Sequence, residues 1–228
     1  ELVIPQPLDF IDKLDNLLPF AWHKQPFAVL HLLPMWHYKR WRLRGWEQLV
    51  HYLIEAGLRV VLTGGDSQEE TAYLRKALSK LPNTVINLAG QLRFCDVAQL
   101  IRASTIYIGP DTAVTHLAAA TGVPTIALYG PTNPLKWAPW PFGYAENKTP
   151  FKQRGRENES QKVGNVFIVQ GKGACVPCHQ EGCERHKQSY SRCLEELDSA
   201  LVIEAVKVFL NQKFFEQDSS LKFFEEKL

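Results

Sequence analysis

The feature that most constrains the fold of this chain is a regular alternation between short apolar runs and amphipathic helical patterns. Apolar runs of strand length occur at Phe27–Leu33, Leu58–Thr63, Thr84–Leu88, Thr105–Ile108, Pro124–Tyr129 and Val166–Val169. Helical patterns occupy Trp46–Ala56, Ser67–Leu81, Phe94–Ala103, Asp111–Thr121 and Leu197–Gln212. Apolar strands joined by helices are typical of parallel sheets covered on both faces. The sequence therefore predicts an α/β fold, a Rossmann-like parallel sheet with helices on both faces.

The domain organisation follows from where this alternation begins and ends. Residues 1–25 are rich in proline and predict a linker, with one short helix near Phe10–Leu18. Residues 26–212 form the predicted Rossmann-like domain, interrupted by a polar segment, 143–165, that we interpret as an exposed loop. Residues 213–228 mix paired phenylalanines with charge and predict a tail or an amphipathic helix.

Composition excludes several functional classes. The 228 residues carry a formal net charge of +2, which is too balanced for nucleic acid as the main partner. No apolar run approaches the roughly 20 residues that a membrane-spanning helix needs. No signal-peptide pattern is visible at the start. Because the first residue is Glu1 rather than Met, that absence does not describe the natural N-terminus.

Candidate ligand-binding residues follow the first two predicted strands. In parallel α/β sheets, ligands bind at the carboxyl ends of the strands. Lys39 lies in the loop after the first strand, where it could bind a phosphate or belong to a solvated basic loop. Glu69 follows Gly64 and Gly65 after the second strand, and it could accept hydrogen bonds from ribose hydroxyls or stabilise a helix N-terminus. The glycine pattern of dinucleotide-binding proteins is absent.

The strand at Thr105–Ile108 is followed by the start of a helix. Asp111 and Thr112 stand where the free N–H groups of that helix favour an anion. Asp111 could hold sugar hydroxyls or cap the helix. His116 shares a helix face with Thr112 and Ala113, and it is either a ligand-binding residue or a structural histidine.

Four segments, in matching order and spacing, carry a family resemblance. The run from Asp111 to Pro134 closely resembles the signature of family 9 glycosyltransferases, the heptosyltransferases. Tyr38–Trp41, Thr63–Glu69 and Asn87–Gln91 resemble three further loops of that family. The resemblance extends over about residues 24–212.

The resemblance implies a GT-B fold, of which this chain is the C-terminal, donor-binding half. The implied activity is inverting transfer of heptose, or a related sugar, from ADP-heptose to lipopolysaccharide or lipid A core, without a metal or cofactor. The implied location is the cytoplasm, at the inner face of the bacterial inner membrane. The acceptor site and catalytic base would belong to an N-terminal domain that residues 1–25 are too few to supply. Alternatives are a non-catalytic nucleotide-sugar-binding module and a sugar-nucleotide epimerase of GT-B shape.

Site residues are carried over from the family by motif. The resemblance implies that Lys39 binds a donor phosphate, Glu69 the ribose and Asp111 the heptose, and that Gln91 lies near the adenine. The residues implied to line the diphosphate and sugar are Thr112, Ala113 and His116. Many family members have glycine in place of Ala113, a difference that a helix tolerates.

A cysteine cluster lies outside these motifs. Its members are Cys175, Cys178, Cys183 and Cys193. A Cys-x-x-Cys pair is a common start of a zinc site, but the second pair is loosely spaced. Structural zinc, disulfides and free thiols all remain open for this cluster, and we expect no metal in the ligand site.

Overall fold

The computed structural model describes residues 7–152 and 160–211. The helices are α1 (Phe10–Leu17), α2 (Leu43–Glu55), α3 (Gln68–Leu78), α4 (Phe94–Ala103), α5 (Ala113–Ala120), α6 (Pro134–Trp137), α7 (Arg192–Glu195) and α8 (199–211). The strands are β1 (Phe27–His31), β2 (Arg59–Thr63), β3 (Ile86–Asn87), β4 (Ile106–Pro110), β5 (Thr125–Tyr129), β6 (Gln161–Val163) and β7 (Val166–Gln170). Within these residues, no helix is both long and apolar enough to cross a membrane.

The strands form one seven-stranded sheet in the order β3-β2-β1-β4-β5-β7-β6. All neighbouring strands are parallel except β6 and β7, which are antiparallel. The chain reverses its direction of travel across the sheet between β3 and β4. Because β1 and β4 are adjacent at this reversal, the loops after them diverge and leave a crevice at the carboxyl ends of the strands.

Both faces of the sheet are covered, as the continuous apolar strands predict. Alternate residues of a strand point to opposite faces, so Ala28 and Leu30 pack on one side and Phe27 and Val29 on the other. Helices α2, α3 and α8 cover the first side, and α1, α4 and α5 cover the second. The predicted Rossmann-like sheet with helices on both faces is confirmed.

The polar segment 143–165 contains more structure than the sequence predicts. Phe151 is buried, and β6 pairs with β7 through a tight turn at Gly164 and Asn165. Gly164 has a φ of +53°, a conformation that glycine adopts without strain. The prediction of an exposed loop is therefore wrong for the last part of this segment, where backbone pairing to β7 compensates for the weak apolar pattern.

The segment interpreted as a linker carries a helix close to the expected position. Phe10 and Leu14 of α1 are buried against the second face of the sheet. Lys13 donates to the fully buried Asp96 at 2.6 Å, which fastens α1 to α4. Whether residues 1–25 connect two domains stays a prediction, and the tail at 213–228 lies outside the described residues.

Candidate functional site

A cleft of about 570 Å³ opens at the carboxyl ends of β1, β2 and β4. Five of the seven residues selected from the sequence line this cleft: Lys39, Glu69, Asp111, Thr112 and Ala113. Three separate segments that follow β1, β2 and β4 supply them, and the parallel sheet brings these segments to one edge. The structure thus gathers most of the candidate residues around one volume.

Lys39 and Asp111 form an ion pair in the wall of this cleft. The Lys39 Nζ lies 2.7 Å from the Asp111 Oδ2 and donates to the Asp111 carbonyl oxygen at 3.3 Å. Apart from this ion pair, the buried Oδ2 has no hydrogen-bond donor among the described residues. The Asp111 side chain is only 5% exposed. A ligand hydroxyl could therefore donate to Oδ2 while the ammonium faces an anion.

Tyr129 adds a weak contact to the same carboxylate. Its hydroxyl donates to the Trp137 carbonyl and lies 3.4 Å from the Asp111 Oδ1. Burial, reinforced by the charge of Asp111, raises the pKa of Tyr129 well above its ordinary value, so the hydroxyl keeps its proton. The Tyr129 hydroxyl donates its proton to the Trp137 carbonyl and so contributes little to Asp111. Lys39 is therefore the main partner of the Asp111 carboxylate.

Glu69 lies at the exposed rim of the cleft, held by an arginine and a histidine. It accepts hydrogen bonds from Arg40 and from the His37 Nε2, the latter at 2.8 Å. The bond from Arg40, followed by that from His37, lowers the pKa of Glu69. Its side chain is nevertheless 59% exposed, so the carboxylate can still accept hydrogen bonds from a ligand. Neither Arg40 nor His37 was selected from the sequence as a site residue.

The first turn of α5 forms another part of the cleft. Thr112 is the N-cap residue, and no side chain caps the helix. The alternative that Asp111 caps this helix therefore does not hold. Thr112, Ala113 and Val114 line the cleft, where the uncapped turn favours an anion.

His116 lies farther along α5, exposed to solvent and outside the cleft lining. Partial desolvation lowers its pKa, the charge of Lys39 acts in the same direction, and the charge of Asp111 opposes them. His116 is thus electrostatically coupled to the Lys39–Asp111 pair without lining the cleft beside it.

Gln91 lines a neighbouring cleft of about 440 Å³. Its amide nitrogen donates to the Asn87 carbonyl at 2.9 Å, which orients the side chain. Leu74 and Ala89 supply apolar wall, and Gly65 also lines this cleft. Asp66 and Arg75 also line this cleft, so it offers a heterocycle both apolar contact and polar partners.

His31 is a cleft residue that the sequence analysis did not select. It ends β1, is 9% exposed, and has its Nδ1 3.2 Å from the Thr63 Oγ1. Desolvation lowers the pKa of His31 to about 4, so the ring is neutral at pH 7. In the sequence, a histidine at the end of an apolar strand indicates a core residue. Its position at the carboxyl end of β1 is the one signal that could have identified it as a site residue.

The neutral burial of His31 predicts a pH-dependent stability. The unfolded chain takes up a proton near pH 6.5, whereas the folded chain does so only near pH 4. Falling pH within this window therefore favours unfolding, by up to about 3 kcal/mol, and above it His31 adds no pH dependence to the stability. Urea unfolding between pH 4 and 8 should show this slope in the wild type and a smaller slope in His31→Gln. Equal slopes in the two proteins would contradict the assignment.

The four clustered cysteines are all free thiols. Burial, followed by the neighbouring thiols, raises the pKa of Cys193 to about 12, so this thiol is unreactive at neutral pH. Within residues 7–152 and 160–211, no group of three or more His, Cys, Asp or Glu side chains is arranged to hold a metal ion. The cluster lies outside both clefts.

The sequence is similar to proteins of one known family. The sequence model described as glycosyltransferase family 9 (heptosyltransferase) matches residues 8–165, well over half of the chain. Lipopolysaccharide heptosyltransferase 3 of Escherichia coli K12 is 31% identical over 118 residues, which are 51% of this chain and 34% of that protein. Lipooligosaccharide heptosyltransferase 2 of Haemophilus influenzae Rd is 37% identical over 98 residues, 42% of this chain and 28% of that protein. The matches thus span about a third of these relatives.

Solved structures share the fold. The Escherichia coli ADP-heptose lipopolysaccharide heptosyltransferase II has a TM-score of 0.65 at 20% identity, covering 92% of this chain and 56% of that one. The Escherichia coli heptosyltransferase WaaC with ADP has a TM-score of 0.56 at 20% identity, covering 90% of this chain and 51% of that one. With the family match over residues 8–165, these findings show that the chain belongs to glycosyltransferase family 9, the heptosyltransferase family.

Proposed function

We propose that this chain is the donor-binding part of an inverting glycosyltransferase that moves heptose from ADP-heptose to the lipopolysaccharide core. The observation that carries the proposal is the Lys39–Asp111 pair, which places a cation and a buried acceptor oxygen in one cleft at the strand ends. The names of relatives support the sugar and the acceptor, and a structural neighbour with bound ADP supports the nucleotide. The location expected from the resemblance, at the inner face of the inner membrane, belongs to the same proposal.

The donor is proposed to lie across both clefts. The adenine occupies the cleft beside Gln91, the ribose hydroxyls donate to Glu69, and the diphosphate meets Lys39 and the first turn of α5. The heptose hydroxyls donate to Asp111, whose Oδ2 has no other hydrogen-bond donor among the described residues. The family resemblance assigns His116 to the same diphosphate and sugar region, although it lies outside the cleft lining.

The reaction then needs two kinds of assistance. An acceptor hydroxyl attacks the anomeric carbon, its proton passes to a base, and the bond from that carbon to the phosphate oxygen breaks as ADP leaves. Lys39 and the uncapped α5 terminus stabilise the negative charge that develops on the diphosphate, so this part requires no metal. We propose that the base and the acceptor site belong to a domain outside residues 1–228.

Replacing Glu69 with glutamine tests the placement of the nucleotide. A ribose contact predicts about 10-fold weaker ADP binding, because a hydrogen bond to a charged acceptor becomes a neutral one. Calorimetry with ADP, 2′-deoxy-ADP and 3′-deoxy-ADP should show the loss shrinking for the analogue that lacks the contacted hydroxyl. Glu47→Gln, on α2 and in a different cleft, is the matched control and should bind like the wild type. The same loss for all three ligands would exclude a ribose contact by Glu69.

A further inference from the structure

A separate cleft of about 570 Å³ lies between the start of α2, one face of α3 and the segment around α7. We call it the basic cleft, because its wall contains Arg40, Arg42, Lys76 and Lys80. One carboxylate, Glu195, faces these four cations in the cleft lining. Arg40 lines both this cleft and the proposed donor site, but Lys39 and Asp111 do not line this cleft, so it is a separate volume.

Three buried polar atoms in this wall have no hydrogen-bond partner among the described residues. They are the Nε of Arg40, the Nε of Arg42 and the hydroxyl of Tyr73. The Arg40 side chain is only 8% exposed. Its Nη2 donates a hydrogen bond to Glu69 in the neighbouring cleft, which leaves the Nε unpaired. Buried donors are rarely left unpaired in folded proteins. Arg40, Arg42 and Tyr73 all line this one cleft, so an acceptor bound there is the group that could pair with them.

The chemistry of the wall identifies that acceptor. The two Nε groups can only donate, and the Tyr73 hydroxyl keeps its proton because burial raises its pKa. No side chain caps α2, whose N-cap Arg42 and first residue Leu43 also line the cleft, so the positive end of the helix adds to the field. Burial raises the pKa of Glu195, and the charge of Arg42 opposes this rise.

We propose that the basic cleft binds a phosphate-type oxyanion, either free inorganic phosphate or a phosphomonoester on a sugar. Such a group has several acceptor oxygens in a compact tetrahedron, which suits donors that approach from different walls. The cleft volume exceeds that of a single phosphate, so it also leaves room for a sugar. This binding does not depend on the proposed donor or reaction.

The test is calorimetry and thermal unfolding of the 228-residue chain with inorganic phosphate and with glucose 6-phosphate, at constant ionic strength maintained by chloride. The wild type should bind at least one ligand saturably and unfold at a higher temperature in its presence. Arg42→Gln and Tyr73→Phe should each weaken binding by about 10-fold or more. Arg44→Gln is the control, because Arg44 is close in sequence but lines a different cleft.

Two further variants keep the result unambiguous. Lys39→Ala should retain the phosphate response, which separates the basic cleft from a diphosphate site beside Lys39. If Arg42→Gln fails to fold, Lys80→Gln takes its place, because Lys80 is exposed. Lys80→Gln and Tyr73→Phe should then both weaken phosphate binding. Without phosphate, Tyr73→Phe should be at least as stable as the wild type, because it removes an unpaired buried hydroxyl. With phosphate, the wild type should become the more stable of the two.

The outcomes separate clearly. Tighter binding of glucose 6-phosphate identifies a phosphomonoester site, and tighter binding of phosphate identifies a free-anion site. A wild-type response equal to that of chloride alone would overturn the proposal. So would saturable binding that Arg42→Gln, Lys80→Gln and Tyr73→Phe leave unchanged, or a response that is lost only in Lys39→Ala.

Discussion

Replacing Lys39 with methionine is expected to lower the free energy of unfolding by about 3 kcal/mol and to abolish measurable ADP binding. The side chain of Asp111 is only 5% exposed, and Lys39 is its main charged partner. Without the ammonium, a buried carboxylate remains uncompensated. The same carboxylate then repels the diphosphate that the ammonium would have bound. Stability and binding therefore fall together in this variant.

The double variant Lys39→Met with Asp111→Asn separates the two effects. It leaves no unpaired charge in the cleft wall, so most of the lost stability should return, whereas ADP binding should not. Urea unfolding followed by circular dichroism measures the first quantity, and calorimetry with ADP measures the second. Unchanged stability of Lys39→Met would refute a structural ion pair. Wild-type ADP affinity in the double variant would remove Lys39 from the phosphate site.

The elements that the sequence predicts well are those with a local signal. Helix α4 lies at Phe94–Ala103 as expected, since apolar periodicity over a full helix needs no tertiary information. Strand β3 is shorter than the apolar run Thr84–Leu88, because only Ile86 and Asn87 pair with β2 at the sheet edge. Strand β6 was missed because its polar sequence forms a strand only through pairing with β7.

The site shows the same division between local and long-range information. Lys39, Glu69 and Asp111 could be selected from the sequence because residues after parallel strands meet at one edge of the sheet. Their pairing could not be predicted. Lys39 is 72 residues from Asp111, and Arg40 is 29 residues from Glu69, so register and loop conformation decide which groups meet.

The basic cleft was not visible in the sequence for a related reason. Tyr73, Lys76 and Lys80 belong to α3 or follow it directly, where charged residues are typical of a solvated helix face. Only the structure places them opposite Arg42. The charged residues of α3 are typical of a solvated helix face by themselves. They become candidates for a binding site only because the start of α2 places buried donors beside them.

The 228-residue chain by itself is expected to fold and bind ADP-heptose but to transfer no sugar. Folding follows from the sheet, which is covered by helices on both faces. Binding follows from the two clefts, whose proposed donor-binding residues lie within the described part of the chain. The matches span about a third of the curated relatives, and the proposal assigns the base and the acceptor site to the remaining part.

The expected loss of transfer is large because two contributions are missing at once. General base catalysis is typically worth about 10²–10⁴-fold. Positioning of the acceptor adds more, since effective molarities reach roughly 10⁵ M or higher. The assay uses radiolabelled ADP-heptose and a lipopolysaccharide-core acceptor, with a full-length family member as positive control and calorimetry to verify that the chain binds its donor. Slow donor hydrolysis to free heptose is compatible with the prediction. Transfer by the chain alone at a rate comparable to the positive control would place the base within residues 1–228, and Lys39→Met should then abolish that transfer as well.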